Sequence, residues 1–133
     1  MATISPTLTL NSNSSGATTN PGPLSIALSL ASSLNITVNG SVKAEIAGVT
    51  TTHTDNKIFD QSAQGHAYIY VKNSSDREIF LCSGDAGTTG NRFMSIGPSG
   101  EFAFFPWSGT RDIFADHTGS GTKNLEYFIF EKA

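Results

Sequence analysis

Eight residues in the C-terminal half of the chain read Gly100-Glu101-Phe102-Ala103-Phe104-Phe105-Pro106-Trp107. A β-strand here would be apolar on both faces, because successive side chains of a strand point to opposite sides of the sheet. Either the even-numbered residues face the core and the odd-numbered ones face outward, or the reverse. An outward face left uncovered would form the kind of apolar patch that marks a partner interface. Alternatively, strand bends and the break at Pro106 bury both sets internally.

Alternation of polar and apolar residues with period two recurs along the whole chain, and no segment has helical periodicity. It predicts front strands at residues 7–10, 24–30 and 34–38, the last joined by an Asn39-Gly40 turn to a partner strand at 42–46. The C-terminal half is predicted to add strands at residues 66–72, 78–82, 92–96, 101–105, 112–115 and 125–130. Many short strands separated by Gly, Ser, Thr and Asp loops predict an all-β fold, a single antiparallel β-sandwich of jelly-roll or immunoglobulin-like type.

The composition differs sharply between the two ends of the chain. Residues 1–42 contain no charged side chain, whereas every aromatic residue lies at or after Phe59. A chain of 133 residues fits one domain. The low-complexity stretch at residues 11–23 cannot build a core of its own, so residues 1–22 are predicted to form an extended N-terminal arm with a flexible linker and residues 23–133 the sandwich domain. Such an arm could add a strand to a neighbour's exposed sheet edge.

The charge balance argues against several classes of partner. The net charge is −3, and the eight Lys and Arg residues are scattered one at a time, which provides no basic surface for nucleic acid and disfavours binding to anionic membranes. The N-terminus lacks the features of a signal peptide, and no apolar run is long enough to span a membrane. The sequence therefore predicts a protein made in the cytoplasm that binds neither nucleic acid nor membrane.

Residues that could carry chemistry are few. His53, His66 and His117 have no companions at metal-ligand spacing, so no metal site and no cofactor are expected. Cys82 lies in an apolar run and is expected to be a small buried hydrophobe. There is no nucleophile elbow and no phosphate loop, and most acidic residues sit at turns, where Asp is common. The chain is therefore not expected to be an enzyme.

A carbohydrate platform is an alternative binding function. Exposed Trp and Tyr rings stack on sugar rings, and Trp107 with Tyr68 and Tyr70 could form such a surface. Most of the aromatic residues are Phe, which offers no hydrogen-bonding group, so we consider a glycan-binding module the second alternative.

Several stretches together resemble small virion structural proteins of tailed bacteriophages, particularly marine ones. They are Ala2-Thr3-Ile4-Ser5-Pro6-Thr7-Leu8-Thr9-Leu10, Asn20-Pro21-Gly22-Pro23-Leu24-Ser25-Ile26-Ala27-Leu28, Ala67-Tyr68-Ile69-Tyr70-Val71-Lys72-Asn73, residues 100–107 followed by Asp112-Ile113, and Leu125-Glu126-Tyr127-Phe128-Ile129-Phe130-Glu131. The resemblance implies an all-β capsid decoration (cement) protein on the capsid surface of the virion, made in the host cytoplasm. Its implied partners are the major capsid protein or other virion proteins and further copies of itself. A tail, baseplate or neck component is the first alternative.

Candidate interface residues follow from the arm and the aromatic strands. They are Ile4, Leu8, Leu10, Phe102, Phe104, Phe105, Trp107, Phe128 and Phe130.

Overall fold

The computed structural model describes residues 2–4, 36–52, 56–84 and 91–133, and within these ranges the chain forms nine β-strands and no α-helix. The strands are β1 (Ala2–Ile4), β2 (Ile36–Val49), β3 (Lys57–Phe59), β4 (Ala67–Asn73), β5 (Ile79–Ser83), β6 (Arg92–Ile96), β7 (Phe102–Trp107), β8 (Ile113–Asp116) and β9 (Lys123–Lys132). They form two antiparallel sheets, sheet A in the order β1-β2-β9-β4-β7 and sheet B in the order β3-β8-β5-β6. The prediction of an all-β antiparallel fold is confirmed for this part of the chain.

The strand pairs are nested within one another. β5 pairs with β6, β4 with β7, β3 with β8 and β2 with β9, and every pair is antiparallel. The β2–β9 and β4–β7 pairs lie in sheet A, and the other two lie in sheet B. Pairing of β4 with β9 and of β5 with β8 joins the nested pairs into continuous sheets. The segment from β2 to β9 is thus one long antiparallel hairpin whose successive pairs alternate between the two sheets.

One apolar core lies between the sheets. Every second residue is buried in β4, and in β9 from Leu125 to Ile129, so each of these strands presents one face to the core. Sheet A contributes Ala67, Ile69, Val71, Leu125, Tyr127 and Ile129, and sheet B contributes Ile58, Phe59, Ile79, Leu81, Ile96, Ile113 and Ala115. Full burial of each larger apolar side chain contributes about 1.5–3 kcal/mol, so this two-sheet core is the main source of stability.

The predicted hairpin at Asn39-Gly40 was wrong. β2 runs without a break from Ile36 to Val49, and both of its halves pair with β9. Val38 lies opposite Lys132 and Val42 opposite Phe130, so the three residues between them face the single residue Glu131 in an irregularity of the bulge type. The strand continues through Asn39-Gly40 because its long pairing with β9, which extends to Val49, stabilises it more than a local turn at these two residues would.

Alternation located the strands of the C-terminal half well. The prediction of residues 92–96 coincides with β6, and β4, β5, β7 and β8 begin within one residue of their predicted positions. β3 was not predicted, since three residues are too few for a periodic signal. The strand predicted at residues 24–30 and the linker at 11–23 lie outside the described residues.

The N-terminus pairs with its own chain where it is described. Ala2, Thr3 and Ile4 of β1 lie opposite residues 36–38 of β2, so β1 forms one edge of sheet A. Residues 5–35 lie outside the described residues, and the insertion of an arm into a neighbouring sheet therefore stays a prediction.

Candidate interaction surface

The outer side of sheet A carries a continuous group of aromatic rings. β4 alternates buried and half-buried residues, β9 alternates likewise from Leu125 to Phe130, and β7 alternates half-buried and exposed ones, so one full set of side chains from each strand points away from the core. We call the aromatic members of this set the aromatic face: Tyr68, Tyr70, Phe102, Phe104, Phe128 and Phe130.

The register of sheet A brings these residues side by side. Two adjacent rows cross β9, β4 and β7, one formed by Phe130, Tyr68 and Pro106 and the next by Phe128, Tyr70 and Phe104. A third row is formed by Glu126, Lys72 and Phe102. Neighbouring strands lie about 4.8 Å apart, close enough for large rings to touch along and across the rows.

The rings of the aromatic face pack against one another. Tyr68 and Phe104 stack with centroids 5.6 Å apart, and Tyr70 lies 5.7 Å from Phe128 and 6.1 Å from Phe102. Phe130 lies 6.3 Å from Phe128 and 6.4 Å from Phe104. These separations are in the range of favourable aromatic pairs. The six rings therefore form one connected surface.

Much of this surface is open to solvent. Phe102 is 61% exposed and Phe104 is 37% exposed, and the other four rings are half-buried. Ile46, which lies opposite Glu126 in the third row, is 73% exposed and extends the apolar surface onto β2. Exposed side chains of this size in adjacent positions are uncommon on a protein that binds nothing.

Charged residues of β9 lie on both sides of its outward rings Phe128 and Phe130. Glu126 lies at one end, where it lines a shallow pocket of about 240 Å³ together with Glu45, Ile46 and Phe128. Lys132 lies at the other end, with its ammonium 5.5 Å from the centre of the Tyr68 ring. The apolar surface is thus bounded by opposite charges along one strand.

Phe105 and Trp107 lie on the other side of β7. They pack against the core from its margin, as does Ala103, so the odd-numbered residues face inward. Phe93 of β6 stacks on Trp107 at 5.3 Å and meets Phe105 at 6.2 Å, and these rings close the side of the molecule where both sheets end. The candidate interface set therefore divides: Phe102, Phe104, Phe128 and Phe130 share the aromatic face, and Phe105 and Trp107 do not.

Trp107, Tyr68 and Tyr70, which were considered as an alternative carbohydrate platform, do not form a single surface. Trp107 lies opposite Ala67, whose side chain is in the core, whereas the two tyrosines point outward. The indole Nε1 of Trp107 donates to the carbonyl of Arg111 at 2.9 Å, which fixes the ring in its half-buried position.

The arm residues of the candidate set are Ile4, Leu8 and Leu10. Ile4 lies opposite Ile36 at the β1 edge of sheet A, and Leu8 and Leu10 lie outside the described residues.

Tyr68, Tyr70 and Ile46 belong to this surface but were not among the interface residues predicted from the sequence. The alternation of residues 66–72 did not show which side is the outer one, because both faces of that strand are apolar. Residues 42–46 have a single apolar face, which includes Ile46 and would ordinarily pack against a core. Only the register with β7 and β9 joins them to the phenylalanines.

A polar cluster lies on the outer side of sheet B. Asp116 is 1% exposed, and both its carboxylate oxygens lie within 3.0–3.1 Å of Arg92 Nη2. The guanidinium also lies 3.9 Å from the centre of the Phe80 ring. Cys82 is fully buried beside them, as predicted, and its Sγ is 3.8 Å from the carboxylate. Burial, followed by the charge of Asp116, raises the pKa of the Cys82 thiol to about 11, so this thiol is a poor nucleophile.

The histidines that the structure describes occupy separate positions. His117 is 2% exposed, with Nδ1 accepting from Gly119 N–H at 3.1 Å and Nε2 lying 3.2 Å from the carbonyl of Val49. His66 is exposed before β4, and His53 lies outside the described residues. In the described ranges, no three His, Cys, Asp or Glu side chains come together as a metal site would require.

Among the described residues no helix is long and apolar enough to cross a lipid bilayer. The sequence matches no protein-family model, and neither a curated protein nor a solved structure matches the chain.

Proposed function

We propose that the protein is a structural component of a virus particle, a decoration protein that attaches to the capsid of a tailed bacteriophage by protein–protein contacts through the aromatic face. The observation that carries the proposal is the connected surface of six rings on the outer side of sheet A, with Phe102 61% exposed at its margin. The sequence resemblance to small phage virion proteins supplies the identity of the particle.

The surface has the physical properties of a protein-binding site. Aromatic residues dominate the binding energy of interfaces, and about 25 cal/mol is gained for each Å² of apolar area removed from water. The rings already contact one another, so little side-chain freedom is lost when a partner covers them. Charged groups lie in the third row, where Lys72 stands between Glu126 and Phe102, and at Lys132, whereas the other two rows carry none, so few ions would be desolvated on docking.

The nested strand pairing supports a jelly roll over an immunoglobulin-like sandwich. In a jelly roll one long antiparallel hairpin is folded over, so that its successive pairs alternate between two sheets, which is the order from β2 to β9. Immunoglobulin sheets group their strands differently. Jelly rolls are frequent in viral capsid proteins. Because folds host many functions, this agreement supports the proposal without carrying it.

An add-back experiment tests the proposal. Particles of the encoding phage are assembled without this protein, purified protein is added, and bound copies are counted by quantitative mass spectrometry. We expect the wild type to bind in hundreds of copies per particle, as a capsid surface with many equivalent sites allows. Six or twelve copies would assign the protein to the tail, baseplate or neck instead, and no binding would overturn the virion proposal.

A matched pair of variants tests the role of the aromatic face. Phe102→Ser with Phe104→Ser should abolish binding to particles while the protein stays folded, because both rings are at the surface. Phe93→Ser is the control, since Phe93 is 40% exposed, close to the 37% of Phe104, but belongs to sheet B. Equal binding of the double variant and the wild type would remove the aromatic face from the proposal.

A further inference from the structure

We infer that the aromatic face binds the same face of a second copy of this chain, about a two-fold axis that crosses the strands of sheet A, so that Glu126 of each copy meets Lys132 of the other. The inference rests on the proposed use of this face as an interface and adds the partner and its orientation.

The charges at the outer positions of β9 are arranged so that two copies of the strand, laid antiparallel, bring opposite charges together. These positions read Glu126, Phe128, Phe130 and Lys132, with one acid and one base at equal distances from the central residue Ile129. At about 3.4 Å per residue, the two charged positions are separated by about 20 Å along the strand. Two such strands laid face to face in opposite directions match acid with base at both ends and ring with ring between them.

A two-fold axis produces this arrangement for the whole face. The axis would run across the sheet along the row of Phe105, Ile69 and Ile129, which lie opposite one another in β7, β4 and β9. Rotation about it places each strand against its own copy in the antiparallel direction. Tyr68 then faces the partner's Tyr70, and Phe128 faces the partner's Phe130. Sheets stacked in this way pack about 10 Å apart, as in the core of a sandwich.

The open edge of sheet A beside the aromatic face is poorly suited to association by strand addition. Asn73 N–H donates to the carbonyl of Glu101 at 2.8 Å, so the odd-numbered positions of this ladder bond to β4. The intervening positions of β7 direct their backbone groups to the open edge, and one of them is Pro106, which has no N–H. A proline on an edge strand hinders pairing with another chain. Association on this side of the molecule therefore favours the face of the sheet over its edge.

Charge reversal tests the inference by sedimentation-equilibrium measurement of the dimer dissociation constant. Glu126→Lys sets lysine against lysine at two symmetric positions, and Lys132→Glu sets acid against acid. Each single variant should raise the dissociation constant about tenfold or more, because every pair occurs twice in a symmetric dimer. The double variant E126K/K132E restores opposite charges and should return the constant to within about threefold of wild type. Arg111→Glu, in the loop between β7 and β8, is the control for net charge and should leave dimerisation unchanged.

Several results would overturn the inference. The inference is overturned if the wild-type protein stays monomeric over the whole concentration range. If that monomer still binds to particles, the proposed function is unaffected. A monomer in which Phe104→Cys resists maleimide would mean that another segment of the same chain covers the face. A dimer unaffected by E126K, or one that the double variant fails to restore, would contradict the two-fold arrangement. A further result is that the Phe102→Ser, Phe104→Ser variant loses both dimerisation and particle binding while the charge-reversal variants lose neither. That result would show that copies meet through the aromatic face in an arrangement other than the two-fold one.

Discussion

Tyr68 and Phe104 stack on the outer side of sheet A with centroids 5.6 Å apart and ring planes inclined by 12°. They are diagonal neighbours, since Tyr68 lies opposite Pro106 and Phe104 opposite Tyr70. This contact joins β4 to β7 on the solvent side, while Ile69 and Phe105 join the same strands on the core side. The strand pair is therefore packed on both faces, and the outer packing creates a surface that is ready to bind.

Phe104 and Phe105 should differ in what they stabilise. Phe105→Ala removes a ring that packs against the core and should lower the free energy of unfolding by about 3 kcal/mol. Phe104→Ala should lower it by less than about 1 kcal/mol, since the ring is exposed, and should mainly weaken assembly. Urea unfolding followed by Trp107 fluorescence measures the first quantity, and particle binding the second. Similar unfolding free energies for the two variants would mean that the inward and outward assignments are mistaken.

Asn73 should be one of the least replaceable polar residues. It is fully buried, and its side-chain amide donates to the carbonyls of Arg77 at 2.6 Å and Ile96 at 2.9 Å while its oxygen accepts from Ser75. Asn73→Ala leaves a buried carbonyl without its donor and should reduce the free energy of unfolding by about 3 kcal/mol. Thermal or urea unfolding of the variant measures the loss. Ser74→Ala, at an exposed neighbour, is the control and should change little.

Gly109 and Gly121 offer a matched test of backbone packing. Both have positive φ, 74° and 71°, so alanine is strained at either position. A Cβ at Gly109 would also lie 2.7 Å from the backbone of Gly65, whereas one at Gly121 would meet nothing within 4 Å. Gly121→Ala should therefore destabilise the fold by about 1 kcal/mol and Gly109→Ala by clearly more. Equal melting temperatures for the two variants would contradict the close approach of the two loops.

Cys82 should make stability fall at high pH. Burial raises the pKa of its thiol from 9.0 to about 11 in the folded state, so between these values the unfolded chain loses a proton that the folded chain retains. The unfolded state is then favoured, and this contribution to stability, complete below pH 9, is lost as the pH rises towards 11. The difference in unfolding free energy between wild type and Cys82→Ala should shrink over this window. The native thiol should also react slowly with iodoacetamide at pH 8 and rapidly in urea. If the difference in unfolding free energy does not change with pH and the native thiol reacts fast, the thiol is accessible to solvent.

The strands of the C-terminal half could be predicted because alternation is a local signal. β6 was located at both ends, and β4 to within one residue, from the spacing of apolar side chains alone. The hairpin at Asn39-Gly40 failed because pairing with β9 is a contact between residues distant in sequence, and β2 and β9 register continuously from Val42 to Val49. Nothing in the sequence near Asn39 records that partner.

The sequence by itself indicated the β-strands of the C-terminal half, which the described residues confirm, and it indicated more apolar strand faces than the core of one small sandwich needs. Both are signals carried by neighbouring residues, namely a period of two and a high aromatic content. Tertiary structure alone decided which face of the stretch at residues 100–107 packs against the core and which faces solvent. Both faces of that strand are apolar, so its own residues do not choose between them. Pairing of β7 with β4 places Phe105 and Trp107 beside the core and leaves Phe102 and Phe104 among the outward rings of β4 and β9, since only the second sheet gives sheet A an inner side.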